Sequence, residues 1–132
     1  MLYMLDTNIC SYIIRNRPLQ IKAKLQEIEQ HHTVALSSIV VAELLYGADK
    51  KQSPKLQKIV SSFIDNFILY DYDKNAASSY ATVRSNLEKQ GRIIGANDLL
   101  IASHALGLGA ILVTNNTKEF DRVEGLVLEN WA

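Results

Sequence analysis

Positions 2–8 of the chain read Leu-Tyr-Met-Leu-Asp-Thr-Asn. The four residues of the run 2–5 favour a short buried β-strand, whereas Asp6, Thr7 and Asn8 are residue types that often cap helices. The stretch therefore predicts a strand followed at once by a helix, with Asp6 at the junction. A carboxylate next to a core strand needs a cation, because an unpaired buried charge is very costly.

Two further acids interrupt apolar runs, namely Glu43 within residues 39–46 and Asp98 ahead of residues 99–102. No Lys or Arg lies within five residues of Asp6, or within five residues of Asp98 on its C-terminal side. When no basic partner is available, the other way to stabilise such acids is a metal ion, and carboxylates suit hard cations such as Mg²⁺. The three acids predict a divalent-cation site that hydrolyses a phosphate ester.

Length and composition predict one ordinary globular domain over residues 1–132, with 48% hydrophobic and 21% charged residues. The single cysteine, Cys10, excludes an intramolecular disulfide and a multi-cysteine zinc site. It also favours a reducing compartment, so we expect a cytoplasmic protein without a membrane-spanning segment. Fourteen basic residues balance fourteen acidic ones, which argues against a general nucleic-acid binder and restricts any nucleic-acid contact to a local surface.

Strand and helix signals alternate along the whole chain. Strands are predicted at residues 2–5, 34–36, 67–70, 110–113 and 126–128. Helices are predicted at residues 9–14, 21–28, 39–46, 56–64, 73–90 and 97–108, with a helical turn near residues 119–120. This alternation indicates an α/β fold whose mainly parallel sheet is covered on both faces and binds ligands at the carboxyl ends of its strands. The acids can converge at that edge.

Four blocks of sequence, in this order, resemble the PIN-domain ribonuclease toxins of VapBC toxin–antitoxin systems. The blocks are Asp6-Thr7-Asn8 after a strand, Glu43 within 42–47, Ile94, Gly95 and Asp98 within 91–98, and Thr114-Asn115-Asn116 with Glu119 and Phe120. The resemblance covers essentially the whole chain. It implies a three-layer α/β/α PIN domain and a magnesium-dependent endoribonuclease, with Mn²⁺ as a possible substitute, that a cognate antitoxin holds inactive.

The resemblance also implies roles for individual residues. It assigns Asp6, Glu43, Asp98 and Glu119 as the catalytic acids, with Asp6 and Asp98 as the direct metal ligands. Supporting and substrate-binding positions would be Thr7, Asn8, Arg92, Thr114 and Asn116. Two positions depart from the family pattern: Ile93 stands where many members have proline, and Glu119 stands where others have aspartate, with Asn116 as the other candidate for the fourth ligand.

Partners and substrate follow from the same resemblance. The family implies a VapB-type antitoxin, a homodimer and a toxin–antitoxin hetero-oligomer, and the apolar faces of residues 56–64 and 80–87 are the candidate surfaces, unless the monomer buries them itself. The chain is most similar to the enterobacterial-type toxins, which cut initiator tRNA in the anticodon region. Candidate residues for gripping RNA flank the acidic segments: Arg15, Arg17, Arg84, Lys89 and Arg92.

Simpler interpretations stay open for each acid. Asp6 can cap the first helix, and a charge at Asp98 is favourable in the first turn of a helix. Glu43 and Glu119 can be surface charges, while His104 is expected to be a partly exposed structural histidine and Cys10 a small core residue. Two other classes of function compete with the nuclease: a phosphotransfer domain that uses Asp6 as nucleophile, and a noncatalytic RNA- or protein-binding domain.

Overall fold

The computed structural model describes residues 1–132 and contains one five-stranded sheet. In chain order the strands are β1 (Leu2–Leu5), β2 (Thr33–Ser37), β3 (Ile68–Tyr70), β4 (Ile111–Val113) and β5 (Val127–Glu129). Their order across the sheet is β3-β2-β1-β4-β5, and every neighbouring pair is parallel. The prediction of a mainly parallel sheet is confirmed, and the sheet is in fact wholly parallel.

Seven helices connect the strands and cover the two faces of the sheet, which gives the predicted three-layer α/β/α arrangement. They are α1 (Thr7–Arg15), α2 (Leu19–Glu29), α3 (Ser38–Lys50), α4 (Pro54–Ile64), α5 (Lys74–Lys89), α6 (Ala96–Leu108) and α7 (Thr117–Phe120). No helix combines the length and the apolar composition that a membrane crossing requires.

The core lies on the two central strands. Met4 and Leu5 of β1, and Leu112 and Val113 of β4, are at most 1% exposed. Burying one such side chain contributes roughly 1.5–3 kcal/mol, which explains why these short strands hold the centre of the sheet. Because helices cover both faces, the strands read as continuous apolar runs rather than alternating patterns.

The strand order reverses next to β1. From β1 the chain moves to β2 on one side, whereas β4 occupies the other side, so a crevice opens at the carboxyl ends of β1 and β4. The backbone N–H of Asp6 continues the pairing beyond β1 by donating to the carbonyl of Val113 at 3.0 Å. Asp6 is therefore fixed in that crevice by the sheet itself.

Side-chain caps set where several helices begin. Asp6 caps α1, Ser37 caps α3 and Asp73 caps α5, each by accepting a hydrogen bond from a backbone N–H two or three residues later. Because Asp6 is the cap, α1 begins at Thr7, two residues earlier than predicted. The prediction relied on apolar periodicity, which does not detect the polar residues of the first turn.

Two sequence expectations about exposure need correction. Leu56, Phe63 and Ile64 of α4 pack against the core and Val60 is buried, so most of the apolar face of residues 56–64 belongs to the monomer. In residues 80–87, Val83 and Leu87 are buried and Tyr80 is partly buried. The more exposed apolar surface near α4 is formed by Leu45, Tyr46 and Ile59.

Candidate active site

Asp6 occupies the centre of the crevice and is only 5% exposed. One carboxylate oxygen, Oδ1, accepts from the backbone N–H of Ile9 at 2.9 Å, which is the cap of α1. The other, Oδ2, accepts from the hydroxyl of Thr114 at 2.5 Å, across from the end of β4. Burial raises the pKa of Asp6, while the hydrogen bonds from Thr114 and Ile9 oppose that rise. Asp6 thus caps a helix and faces the site at the same time.

Glu43 reaches the same region from α3 and is partly buried. Its Oε1 accepts from the Thr7 hydroxyl at 2.9 Å, and its Oε2 accepts from Asn97 Nδ2 at 3.3 Å. These two contacts tie α3 to the starts of α1 and α6. Because Glu43 contributes to the elevated pKa of both Asp6 and Asp98, the three acids lie within electrostatic range of one another.

Asp98 and Glu119 form the other side of the cluster. Asp98 is in the first turn of α6, and Glu119 is in α7. A Cβ placed on Gly95 would lie 3.6 Å from Glu119 Oε1 and 3.7 Å from Asp98 Oδ2, so both carboxylates border the same glycine. Glu119 accepts from the Gly95 N–H at 2.8 Å and from Asn116 Nδ2 at 2.9 Å.

The electrostatics of these two acids differ. Burial, with the neighbouring charge of Glu119 next in importance, raises the pKa of Asp98 to about 6. The hydrogen bonds from Gly95 and Asn116 lower the pKa of Glu119 instead. The donors therefore favour the ionised form of Glu119, while burial and the neighbouring charges raise the pKa of Asp98, and perturbed pKa values of this kind are typical of functional sites.

No basic side chain forms an ion pair with any of these four acids, and the charge of Arg122 makes only a minor contribution to the lowered pKa of Glu119. The ion pairs of the protein are Lys24–Glu27 and Arg84–Glu88, both on the surface of single helices. Four carboxylates without a cation repel one another, and an oxygen-rich set of this kind suits a hard divalent ion. By its chemistry, the donor set fits Mg²⁺ or Mn²⁺.

The predicted carboxylate cage is not assembled in advance. As the side chains stand, no group of three or more His, Cys, Asp or Glu residues has a geometry that could hold a metal ion. The oxygens instead face Thr7, Thr114, Asn116 and Asn97. Mg²⁺ usually binds through one or two carboxylates, keeps several waters and takes further oxygens from substrate phosphates. A site with few direct protein ligands agrees with this coordination preference of Mg²⁺, whereas a closed cage of three acids does not.

The supporting residues expected from the sequence divide into two groups. Thr7, Thr114 and Asn116 each hydrogen-bond to one of the acids. Asn8 and Arg92 are exposed, and neither side chain hydrogen-bonds to an acid. Sequence reasoning named Gly95 only as part of a motif and assigned no role to Asn97, because nothing local indicated that Gly95 bonds to Glu119 or that α6 packs beside Glu43.

His104 differs from its expected description as a partly exposed residue. It is 1% exposed, and its Nδ1 lies 2.8 Å from the hydroxyl oxygen of Ser37, the cap of α3. Its ring also meets the edge of Tyr72 with centroids 5.1 Å apart. It has no contact with the acids.

Cys10 is fully buried, as predicted for a core residue.

Comparison with known proteins shows a match over nearly the whole chain. The PIN domain family matches residues 3–126. The Rickettsia felis protein "Ribonuclease VapC2" is 46% identical over 132 residues, which cover 99% of this chain and 98% of that protein. The Shigella flexneri protein "tRNA(fMet)-specific endonuclease VapC" is 40% identical over 131 residues, and the match covers 98% of each chain.

Solved structures agree in fold. The crystal structure of VapBC2 from Rickettsia felis, bound to a DNA fragment from its promoter, contains a chain that superposes with a TM-score of 0.95, at 45% identity over 100% of both chains. DNA-bound VapBC from Salmonella typhimurium gives a TM-score of 0.92 at 37% identity, again over 100% of both chains. The chain therefore belongs to the PIN-domain family and, within it, to the VapC ribonucleases, enzymes that hydrolyse RNA phosphodiester bonds.

Proposed function

We propose that this ribonuclease is the Mg²⁺-dependent toxin of a type II toxin–antitoxin system and cuts tRNA, specifically the anticodon stem-loop of initiator tRNA, to stop translation and growth. The observation that carries the metal dependence is the convergence of Asp6, Glu43, Asp98 and Glu119 without a basic partner. Asp6 and Asp98 would hold the ion directly, since they flank the crevice from β1 and α6.

Each residue then has a defined task. The bound ion would polarise a phosphoryl oxygen and supply activated water. Glu43, whose two oxygens are held by Thr7 and Asn97, is placed to orient that water and take a proton from it. Glu119 is kept ionised by the hydrogen bonds from Gly95 and Asn116, and its negative charge would favour a cation on the Asp98 side of the site. These assignments are proposals that the site's hydrogen bonds support.

The tRNA substrate is supported by the relatives. The proteins of Shigella flexneri and Salmonella typhimurium, 40% and 37% identical to this chain, carry the name tRNA(fMet)-specific endonuclease. Sequence-specific RNA recognition usually targets unpaired loops, and an anticodon loop presents such bases. A balanced overall charge of fourteen basic and fourteen acidic residues also suits a compact local target better than a long duplex.

A VapB-type antitoxin is the proposed partner. The similar structures from Rickettsia felis and Salmonella typhimurium are VapBC complexes. On this chain, Leu45, Tyr46 and Ile59 are 47%, 67% and 42% exposed and lie on the neighbouring helices α3 and α4. Exposed apolar side chains on two packed helices are typical of surfaces that a partner covers.

The deciding experiment is cleavage of total cellular tRNA by the purified chain, with Mg²⁺ and with EDTA, followed by mapping of the cut ends. We expect discrete cuts that require both metal and the acids, so that Asp6→Ala and Asp98→Asn abolish them. Asp65→Asn, a change of an exposed acid on α4's C-terminal side, serves as the control and should cleave like the wild type.

The chemistry of the ends tests the mechanism separately from the target. Attack by water leaves a 5′-phosphate and a 3′-hydroxyl, because the ribose 2′-hydroxyl is not the nucleophile. A 2′,3′-cyclic phosphate at the cut would contradict the mechanism, and metal-independent cleavage would contradict the assigned cofactor. Cleavage of other RNAs with initiator tRNA left intact would overturn the substrate and leave the ribonuclease assignment standing.

A further inference from the structure

A polar and aromatic cluster lies beside the acids without holding any of them. It consists of Tyr12 and Arg15 on α1, Arg17 just after α1, and Asn115 in the loop after β4. We call these four residues the Tyr12 shelf. Tyr12 and Asn115 are partly buried, whereas both arginines are exposed.

The shelf is attached to the loop that supports the acids. Asn115 lies between Thr114, which hydrogen-bonds to Asp6, and Asn116, which hydrogen-bonds to Glu119. The Nδ2 of Asn115 donates to the phenolic oxygen of Tyr12 at 2.8 Å. The tyrosine ring is therefore anchored to a residue that lies between Thr114 and Asn116, the two residues of this loop that hydrogen-bond to acids.

Several donors of the Tyr12 shelf have no partner within the protein and are free to bind a ligand. The Tyr12 hydroxyl accepts from Asn115, and its own proton has no acceptor among the hydrogen bonds of the protein. The Arg15 guanidinium lies 5.3 Å from the centroid of the Tyr12 ring and donates only through Nε, to the Ser11 carbonyl at 3.3 Å. Neither Arg15 nor Arg17 pairs with a carboxylate. An exposed cationic face therefore stands next to an anchored aromatic ring.

The surroundings are open enough for a nucleotide. Tyr12, Arg15 and Arg17 line an open cavity of about 840 Å³, together with Asn16, Pro18 and Leu19. Arginine binds phosphate oxygens, and both aromatic rings and guanidinium planes stack on unpaired bases. An acidic peptide would use the arginines but would gain little from the ring.

We propose that the Tyr12 shelf binds an unpaired RNA nucleotide adjacent to the cleaved phosphate. Arg15 and Arg17 hold its phosphate, the base stacks on the Tyr12–Arg15 pair, and the Tyr12 hydroxyl donates to an RNA oxygen. This inference rests on the proposed endoribonuclease function and adds to it a substrate subsite. The acids carry out the cleavage, while the Tyr12 shelf determines which nucleotide of a loop is positioned next to them.

The test measures RNA binding without cleavage. A fluorescently labelled RNA stem-loop with the initiator tRNA anticodon sequence is titrated with the full chain in EDTA, and anisotropy gives the affinity at several salt concentrations. The variants are Tyr12→Leu, Tyr12→Phe and Arg15→Ala. The control is Lys58→Ala, which removes an exposed cation on α4 that forms no ion pair and lies outside the Tyr12 shelf.

The expected results separate stacking from charge. Tyr12→Leu weakens binding by about tenfold with an unchanged salt dependence, and Tyr12→Phe, which keeps the ring, weakens it by about twofold. Arg15→Ala lowers the slope of log affinity against log salt by about 0.7, the value for one lost phosphate contact on a single strand. Lys58→Ala leaves both quantities at the wild-type values. Circular dichroism melting verifies that each variant is folded.

Several results would overturn the proposal. One is unchanged RNA affinity in Tyr12→Leu, Tyr12→Phe and Arg15→Ala while the wild type binds and cleaves RNA, which leaves the proposed function intact. Another is an equal loss of RNA affinity in the control Lys58→Ala. Unchanged RNA affinity combined with loss of antitoxin binding would assign the shelf to the protein partner instead. A wild type that neither binds nor cleaves RNA would remove the proposed function, and the subsite with it.

Discussion

The charged form of Asp98 is destabilised by burial and by the three other carboxylates of the site. Its pKa is raised to about 6 from an ordinary value of 3.8, first by burial and then by Glu119, Asp6 and Glu43. Since the folded-state pKa lies above the unfolded one, the folded protein binds more protons between these values. The stability of the metal-free protein at this position therefore falls as pH rises from 3.8 to about 6, and the full penalty persists above that range.

Replacing Asp98 should remove this penalty. We expect Asp98→Asn to raise the thermal stability of the metal-free protein at pH 7 and above, and to change it little near pH 4, where the wild-type carboxyl is already protonated. Melting curves in EDTA over this pH range measure the effect, with the exposed Asp65→Asn as control. Equal melting temperatures of wild type and Asp98→Asn at pH 7 would show that the acids do not strain the site.

Metal should reverse the ordering of the same two proteins. A ligand that binds only the folded state stabilises it in proportion to the logarithm of its concentration over its dissociation constant. Mg²⁺ should raise the melting temperature of the wild type at pH 7 and have a much smaller effect on Asp98→Asn, which has lost a direct ligand. A melting temperature of the wild type that is insensitive to Mg²⁺ and Mn²⁺ would contradict the assigned site.

Thr7 illustrates how a neutral residue can control an acid. Its hydroxyl donates to Glu43 at 2.9 Å, and the only other side-chain donor to that carboxylate is Asn97 at 3.3 Å. Thr7→Val keeps the shape and removes the donor, so Glu43 loses its orientation. Losing such a support typically costs about 10- to 100-fold, and we expect a fall of this size in kcat with KM nearly unchanged.

The matched variant for this position is Thr7→Ser, which keeps the hydroxyl and should retain most of the wild-type kcat. Single-turnover cleavage of the tRNA substrate gives both constants for the two variants. A loss of kcat in Thr7→Ser as large as in Thr7→Val would attribute the effect to packing of the threonine methyl rather than to the hydrogen bond.

At the scale of elements, the site depends on how α3 sits against α6. Glu43 is carried by α3 and Asp98 by α6. Besides the Asn97–Glu43 contact, the two helices are joined where His104 of α6 meets Ser37, the cap of α3, at 2.8 Å. His104 is buried and remote from the acids, so its role is to position these two helices.

This buried histidine predicts a pH dependence of stability. Burial lowers the pKa of His104 below its ordinary value of 6.5, against the opposing influence of Asp73 and Asp71. With the folded-state pKa depressed, the unfolded chain takes up the proton first, so the contribution of His104 is complete above pH 6.5 and declines below it. Tyr72, whose ring edge faces the imidazole, is uncharged in this range.

The comparison variant is His104→Asn, whose amide can replace the Nδ1 contact to Ser37 and does not titrate. We expect it to be less stable than the wild type at pH 7.5 by about 1–3 kcal/mol, because a smaller side chain leaves a cavity, and to lose less stability between pH 7 and 5. Urea denaturation at both pH values measures this. Parallel pH profiles of the two proteins would exclude His104 as the titrating group.

Particular residues show what the sequence could and could not predict. The strand–helix alternation, the place of Asp6 after β1 and the place of Asp98 in the first turn of α6 were all predictable, because they depend on local periodicity and capping. The contacts Asn97–Glu43, Gly95–Glu119 and His104–Ser37 were not, since each joins segments distant in the chain. Periodicity indicates which face of a helix is buried but not which helix covers it.

At the scale of the whole molecule, the topology places the acids and their supporting residues at one edge of the sheet, whereas the exposed apolar residues lie on a different surface. Central placement of β1 brings Asp6 beside the end of β4, and the following loop supplies Thr114 and Asn116. The apolar patch of Leu45, Tyr46 and Ile59 lies on the outer parts of α3 and α4. On the proposed function, substrate and antitoxin would contact different groups of residues, although α3 carries both Glu43 and part of the patch.

This separation predicts that antitoxin binding can be weakened without loss of cleavage. Tyr46 is 67% exposed, so Tyr46→Asp should fold normally while placing a charge at the centre of an apolar contact. We expect it to weaken binding of a VapB-type antitoxin by at least about tenfold, the size of a hot-spot loss, and to leave the cleavage rate of free toxin unchanged. Isothermal titration calorimetry and tRNA cleavage measure the two quantities on the same preparation.

A control at another exposed apolar residue completes this experiment. Val127 is 57% exposed on the edge strand β5, outside the patch, and Val127→Asp should bind antitoxin like the wild type. If Tyr46→Asp and Val127→Asp both bind normally, the antitoxin uses a different surface. If sedimentation shows that Tyr46→Asp converts a dimer of the free chain into a monomer while antitoxin affinity is kept, the patch joins two copies of the toxin, because the exposed apolar area is then covered by self-association.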